Sequence, residues 1–273
     1  MIESILTSVA FGLIVGICSG LLGIGGGVIM VPSFRLLFGM SPITCTATSL
    51  FTVIPTSISG AITHIRNRTC IPKLGLALGV GGALTSPVGV WLAHISPGWL
   101  VMVGAAIVMA YSAITMFGKA LKARRATANQ KTAPTAQIDK TPEARFTPTR
   151  RNLIMGLAIG LLVGVVSGYV GVGGGFIMVP LLHTLINLPM KQASGTSLIA
   201  VMLIALPAAI EQGMLGNIDY LVGLATACGS IPGALLGANL VARINESSLR
   251  LIFGVFLLVA AVFMALGEIG ALG

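Results

Sequence analysis

The sequence predicts an all-α polytopic membrane protein of two homologous five-segment repeats, inverted relative to each other, each carrying a glycine-broken helix. Three observations lead there. Of the 273 residues, 55% are hydrophobic and 8% charged, whereas a soluble domain carries roughly a quarter charged residues; the mean hydropathy is +1.00. Residues 16–32, GICSGLLGIGGGVIMVP, return at 164–180 as GVVSGYVGVGGGFIMVP, and Thr48-Ser49-Leu50 returns as Thr196-Ser197-Leu198 at the same offset of 148. Basic residues, finally, fall in alternate loops, which is how cytoplasmic loops are marked in membrane proteins.

The apolar segments follow in order. The first half offers 4–22, 26–39, 43–64, 72–93 and 97–118, and the second 152–170, 174–187, 192–213, 219–241 and 248–267. Runs such as Leu74–Ala93 and Leu249–Leu266 reach the length of about twenty residues that crosses a bilayer as a helix. No basic stretch precedes Ile5–Ile17, so the first segment reads as a retained transmembrane helix rather than a cleaved signal. The second segment of each half is short and contains Pro32 or Pro180. By length it is a half-helix or a re-entrant piece. The expected organisation is a first transmembrane repeat at 1–118, a linker at 119–150 and a second repeat at 151–273.

Charge sets the expected topology. If all five segments of each half cross, the N-terminus starts outside. Arg66, Arg68, Lys73, the linker, Lys191, Arg243 and Arg250 then face the cytoplasm, and the outward loops hold only His94, Glu211, Asp219 and Glu268. An odd number of spans also inverts the second copy. Four spans per half would instead turn Lys191, Arg243 and Arg250 outward, against the positive-inside rule.

The net charge of +9 does not indicate a nucleic-acid partner. Nine basic residues against Asp139 and Glu143 gather in 119–151, a stretch rich in Ala, Thr and Pro. It reads as a mobile cytoplasmic linker that orients the chain in the plasma membrane and attracts anionic lipid. The expected partners are therefore the lipid bilayer and a small anionic substrate; oligomeric state is left open. Cys18, Cys45, Cys70 and Cys228 form no CxxC and no cluster with histidine, so neither a metal site nor a disulfide is expected. No cofactor is expected either.

The glycine clusters carry the functional reading. Gly23, Gly25, Gly26 and Gly27 end one apolar segment and open the next, and Gly171, Gly173, Gly174 and Gly175 repeat them. Backbone leaves helical geometry inside a membrane only where it is buried in protein or lines a cavity. A helix restarting at Val28 presents amides without intrahelical acceptors, which attract anions. Two such helix starts, converging near the midplane from opposite sides, would hold a small oxyanion without a buried lysine. Close packing of helices through small residues is the other reading of the same glycines. A nucleotide loop does not fit: no GK[ST] follows, and Gly23-x-Gly25-x-x-Val28 lacks the last glycine.

The doubled GLLGIGGGVIMVP and GYVGVGGGFIMVP, the doubled TSL and the late PGALLGANLV at 232–241 resemble the sulfite exporter TauE/SafE family, over essentially the whole chain outside the linker. The resemblance implies a polytopic carrier for small sulfur-containing anions such as sulfite, thiosulfate or sulfonates. The first half departs from the late motif, reading TSPVGVWLA at 85–93, so the halves need not contribute equally.

Hydroxyls and a few ionisable groups complete the candidate site. Thr48, Ser49, Thr196 and Ser197 can donate to oxyanion oxygens, or bond a carbonyl of their own helix. Arg35 follows Pro32 and meets an anion directly or snorkels to the interface; its counterpart His183, 148 residues on, is a candidate proton carrier. Glu211, beside Gln212 and aligned with Thr63 and His64, is a second candidate for proton coupling or a solvated loop carboxylate. Asp219 opens a segment and reads as a helix cap.

A secondary carrier, rocking one repeat against the other, accounts for these features. An intramembrane enzyme is not expected, because HExxH is absent and the three histidines are scattered. A passive anion channel, or the membrane subunit of a larger complex, is the alternative.

Overall fold

The computed structural model describes residues 2–114 and 148–272, apart from 102, 105, 109 and 242. All but the last three residues of the linker expected at 119–150 therefore lie outside the described residues. The first half forms helices α1 (Ile2–Leu22), α2 (Gly27–Phe38), α3 (Pro42–Arg66), α4 (Pro72–Ile95) and α5 (Gly98–Ile114). The second forms α6 (Arg150–Val170), α7 (Gly175–Leu185), α8 (Met190–Met214), α9 (Tyr220–Val241) and α10 (Glu246–Leu272). No strand occurs among the described residues.

Local chemistry sets the boundaries. Ser41 accepts from the Thr44 amide at 3.2 Å with Pro42 in the first turn of α3, where its missing N–H costs nothing. Asp219 accepts from the Val222 amide at 3.1 Å, which is the cap expected of it at the start of α9. Six helices (α1, α3, α4, α6, α8 and α9) are long and apolar enough to cross a membrane, as a multi-pass membrane protein requires. By contrast, α2 and α7 have 12 and 11 residues, about 17–18 Å at 1.5 Å per residue, short of the ~30 Å hydrocarbon core.

Small residues decide which helices pair. On α1, methyl groups added at Gly12, Gly16 and Gly20 would come within 2.2–2.3 Å of the carbonyl oxygens of Thr226, Ser230 and Ala234 on α9. Gly229, Gly233 and Gly237 of α9 sit equally close to the Val9, Leu13 and Ile17 carbonyls. The two helices thus run side by side in the same direction, interlocked every four residues, in the small-xxx-small packing of membrane helices. The second interface repeats this with exchanged roles. Gly160, Gly164 and Gly168 of α6 pack on the Leu78, Gly82 and Ser86 carbonyls of α4, and Gly81 and Gly89 pack back on Leu157 and Val165. Each interface therefore joins the two halves.

At the centre lie α3 and α8, the most buried of the long helices. Gly60 meets Leu198, and Gly195 meets His64 and the Thr69 carbonyl, so the later part of α3 lies against the start of α8 and the pair runs antiparallel. Parallel to α3 runs α9, through Thr52 to the Gly223 carbonyl and Ser59 to the Ile231 carbonyl. Parallel to α8 runs α4, through Gly75 against Thr196 and Gly79 against Leu203. Leu6, Ile14, Leu84, Trp91, Leu162 and Leu236 stay exposed on the periphery, as side chains facing lipid do.

These directions sort the charges. The end of α3 meets the end of α9 through Asn67 and Asn239, and the start of α4 meets the start of α8 through Ile71 and Thr196. Arg66, Arg68, Lys73, Arg150, Arg151, Lys191, Arg243 and Arg250 therefore gather at one end of the bundle. His94, Glu211 and Asp219 mark the other, where Arg35 is the one Lys or Arg among the described residues.

Candidate substrate site at the paired glycine breaks

The two glycine breaks meet in the middle of the bundle. The first leaves α1 through Gly23, whose amide donates to the Ser19 carbonyl at 2.8 Å, and the second leaves α6 through Gly171, whose amide donates to Ser167 at 2.8 Å. Gly23, Gly25 and Gly26 have φ of 74, 78 and 90°, and Gly171, Gly173 and Gly174 have φ of 71, 81 and 73°. This left-handed backbone is open to glycine and strained for other residues, which is why the clusters recur at these positions. Between the glycines, Ile24 and Val172 are fully buried and anchor each loop.

Each break then restarts a helix. Gly26 caps α2, and its carbonyl accepts from Ile29 and Met30; Gly174 caps α7 and accepts from Ile177 and Met178. The amides of Gly27 and Val28, and of Gly175 and Phe176, precede the first such bond and have no acceptor in their own helix. A methyl group at Gly27 would lie 2.4 Å from the Val172 carbonyl oxygen, and one at Gly175 would lie 2.6 Å from that of Gly23. Each helix start thus abuts the opposite break. Gly25 and Gly173 both face Val53 of α3 and Val201 of α8, which close over the junction. Among the described residues no Lys, Arg, Asp or Glu lies in this centre, so its electrostatics come from helix ends and hydroxyls.

The predicted hydroxyls have distinct jobs, and of the four only Ser197 is bonded to a break. Thr48 accepts from the Asp219 amide and Thr196 from the Ile71 amide, each at 3.0 Å, so each closes the start of a helix distant in sequence. Ser197 donates to the Gly23 carbonyl at 2.6 Å. Its counterpart Ser49 is fully buried and has no partner. Three more buried serines, Ser19, Ser57 and Ser167, also lack partners. Sequence reasoning placed none of these three in the substrate site, although Ser19 and Ser167 stand inside the duplicated stretch at the repeat offset.

The ionisable candidates lie elsewhere. Arg35 is eight residues along α2 from Gly27, about 12 Å by helical rise, and its Nη1 donates to the Met40 carbonyl at 3.0 Å. His183 repeats that contact, its Nδ1 donating to the Leu188 carbonyl at 2.8 Å, so the pair ties down the turns after α2 and α7. Glu211 sits near the end of α8 with His94 within electrostatic reach. Beside it, Gln212 accepts from Asn217 at 2.7 Å. The equivalent His64 is fully buried, with Nε2 2.9 Å from the Gly20 carbonyl and Nδ1 2.7 Å from the Thr69 hydroxyl. A carbonyl only accepts, so Nε2 carries the proton and, in the neutral ring, Nδ1 accepts from Thr69. The described residues contain no cluster of His, Cys, Asp and Glu able to hold a metal.

Comparison with known proteins places this architecture. Residues 8–264 match the family described as Sulfite exporter TauE/SafE. The probable membrane transporter protein YunE of Bacillus subtilis is 28% identical over 247 residues, 87% of each chain. A probable membrane transporter protein of Xylella fastidiosa is 26% identical over 266 residues, 96% of this chain and 95% of that one. Sulfite exporter TauE/SafE family protein 3 of Arabidopsis thaliana is 31% identical over 126 residues, 44% of this chain and 25% of that one. No solved structure matches the chain. With the family covering both glycine breaks and nearly all the described helices, the chain belongs to the TauE/SafE family of membrane transporters.

Proposed function

We propose that this chain is a secondary transporter, working as an exporter of small sulfur-containing anions such as sulfite, thiosulfate or sulfonates, which bind near the midplane between the paired glycine breaks. The observation that carries this reading is the meeting of the two breaks: two helix starts whose first amides have no acceptor in their own helix, abutting one another, in a centre without a fixed negative charge among the described residues. Such ends favour an anion through N–H groups and dipole alike. The family description supplies the sulfur chemistry.

In this reading the two halves are inverted repeats. The common direction of α1, α3 and α9, opposed to that of α4, α6 and α8, supports it, since α1 and its counterpart α6 then point opposite ways. The gathering of basic residues at one end supports a plasma-membrane orientation with that end, and the linker at 119–150, in the cytoplasm. A negative interior then favours anion exit by roughly 2.3 kcal/mol per charge per 100 mV.

The test is flux into proteoliposomes of purified protein, with radiolabelled sulfite, thiosulfate, sulfate and sulfonates, with and without a pH gradient. Saturable uptake of a sulfur anion, accelerated by the same anion preloaded inside, is the expected result. Uptake that rises linearly and ignores preloading would mean a channel. No flux of any of these anions would overturn the substrate class.

A further inference from the structure

We propose that Ser19 and Ser167, with Ser57 beside the first break, are the hydroxyls that bind the transported oxyanion; this rests on the transport reading above and names ligands within that site. The starting observation is an imbalance in the bonding of buried hydroxyls. Hydroxyls in membrane helices ordinarily satisfy themselves on a carbonyl three or four residues back, and several here do. Thr52 bonds Thr48, Thr56 bonds Thr52, Thr63 bonds Ser59, and Ser197 bonds Ser194 as well as Gly23. Ser19, Ser57 and Ser167 are fully buried and bond nothing. A buried polar group left without a partner requires an explanation.

Their positions supply one. A methyl group at Gly174, the cap of α7, would lie 3.1 Å from the Ser167 Cβ and 3.3 Å from its Oγ. A methyl at Gly26, the cap of α2, would lie 3.6 Å from the Ser19 Cβ, and one at Gly25 would lie 3.3 Å from the Ser57 Oγ. Each serine therefore stands beside a glycine that caps or leads into a helix whose first amides have no acceptor in that helix. Ser19 and Ser167 also occupy equivalent places in the two halves, so both halves offer the same pair of donors: a serine hydroxyl and a helix end. An anion that presents oxygen to both sides at once satisfies the two sets together. A hydroxyl serves this purpose where a lysine would not, because it carries no charge to desolvate when the site is empty.

The experiment separates this role from a structural one. Ser19→Ala, Ser167→Ala and the double variant are compared with wild type by thermal unfolding in detergent and by sulfite and thiosulfate flux in proteoliposomes. Removing an unbonded buried hydroxyl is expected to leave the melting temperature unchanged or raise it. The KM for the transported anion is expected to rise about tenfold in each single variant and further in the double one, as loss of a hydrogen bond to a charged group dictates. Saturable wild-type flux with unchanged KM in both variants would overturn the assignment while leaving the transport reading intact. A clear fall in melting temperature would overturn it too, by showing the hydroxyls to be structural. If wild type moves neither of these nor sulfate or a sulfonate, the transport reading fails and the assignment falls with it.

Discussion

The hydroxyl of Ser197 donates to the carbonyl oxygen of Gly23 at 2.6 Å, so a residue of the second half closes the glycine break of the first. The reciprocal contact is missing: Gly23 and Gly171 pack equivalently on Ser194 and Thr46, yet Ser49, the counterpart of Ser197, is buried without a partner. The site is thus two-fold in its backbone and asymmetric in its hydroxyls. Ser197→Ala leaves the Gly23 carbonyl buried and unpaired, which costs about 1–3 kcal/mol. Ser49→Ala removes a group that bonds nothing and is expected to be neutral or stabilising. Thermal unfolding of the two variants side by side measures the asymmetry; equal losses would refute it.

The interlocked helices make a sharper stability prediction. At Gly168 a methyl group would lie 2.0 Å from the Ser86 carbonyl oxygen, and only separation of α4 from α6 relieves it. Gly168→Val is therefore expected to cost about 3 kcal/mol or more and to abolish recovery of monodisperse protein. Gly104, whose added methyl meets only Tyr169 among the described residues, at 3.5 Å, is the control: Gly104→Ala is expected to fold, and to gain from the better helix former. Size-exclusion profiles of the two variants decide the point.

His64 and Gln212 occupy equivalent positions, and each bonds the residue five places on, Thr69 or Asn217. His64 also reaches the Gly20 carbonyl, tying the end of α3 to the last turns of α1 just before the break. A residue already used in the second half is expected to serve in the first. His64→Gln is predicted to keep most of the stability, whereas His64→Leu strands the Gly20 carbonyl, while the Thr69 hydroxyl keeps its bond to the His64 main-chain carbonyl, and loses about 1–3 kcal/mol. Equal melting temperatures for the two variants would show the clamp to be dispensable.

Much of this was legible in the chain, because membrane burial and duplication leave strong marks. Residues 16–32 and 164–180 located both breaks, and the apolar segments lie within a few residues of the helices. Pro32 and Pro180 marked the two short ones. What the sequence left undetermined is partner choice. Gly12, Gly16 and Gly20 announce a close contact, yet nothing local says that the partner is α9 rather than a neighbour in the same half. Thr48 and Thr196 read as ligands or as groups bonded within their own helix; they also accept from the starts of α9 and α4, a role visible only once distant segments are juxtaposed. Ser49 and Ser197 are indistinguishable by position in their repeats, and only packing separates the bonded one from the unbonded one.

Cys70 lies in the turn between α3 and α4, outside the membrane-spanning helices, and partial burial pushes its thiol up to about 11. The charged form is the one disfavoured, so at neutral pH the thiol stays protonated. An ordinary thiol near 8.5 carries about three hundred times more thiolate at pH 7.5, and the thiolate is the reactive species. With Cys18, Cys45 and Cys228 replaced by alanine, maleimide labelling of Cys70 is expected to be slow at pH 7.5. It is expected to rise about tenfold per pH unit without a plateau below pH 10. The same shift carries a stability consequence of definite sign: the unfolded thiol ionises first, so folding weakens as pH climbs from about 8.5 toward 11. Labelling that is fast at pH 7.5 and levels off near pH 8.5 would show Cys70 to be an ordinary exposed thiol, and the turn to be open to water.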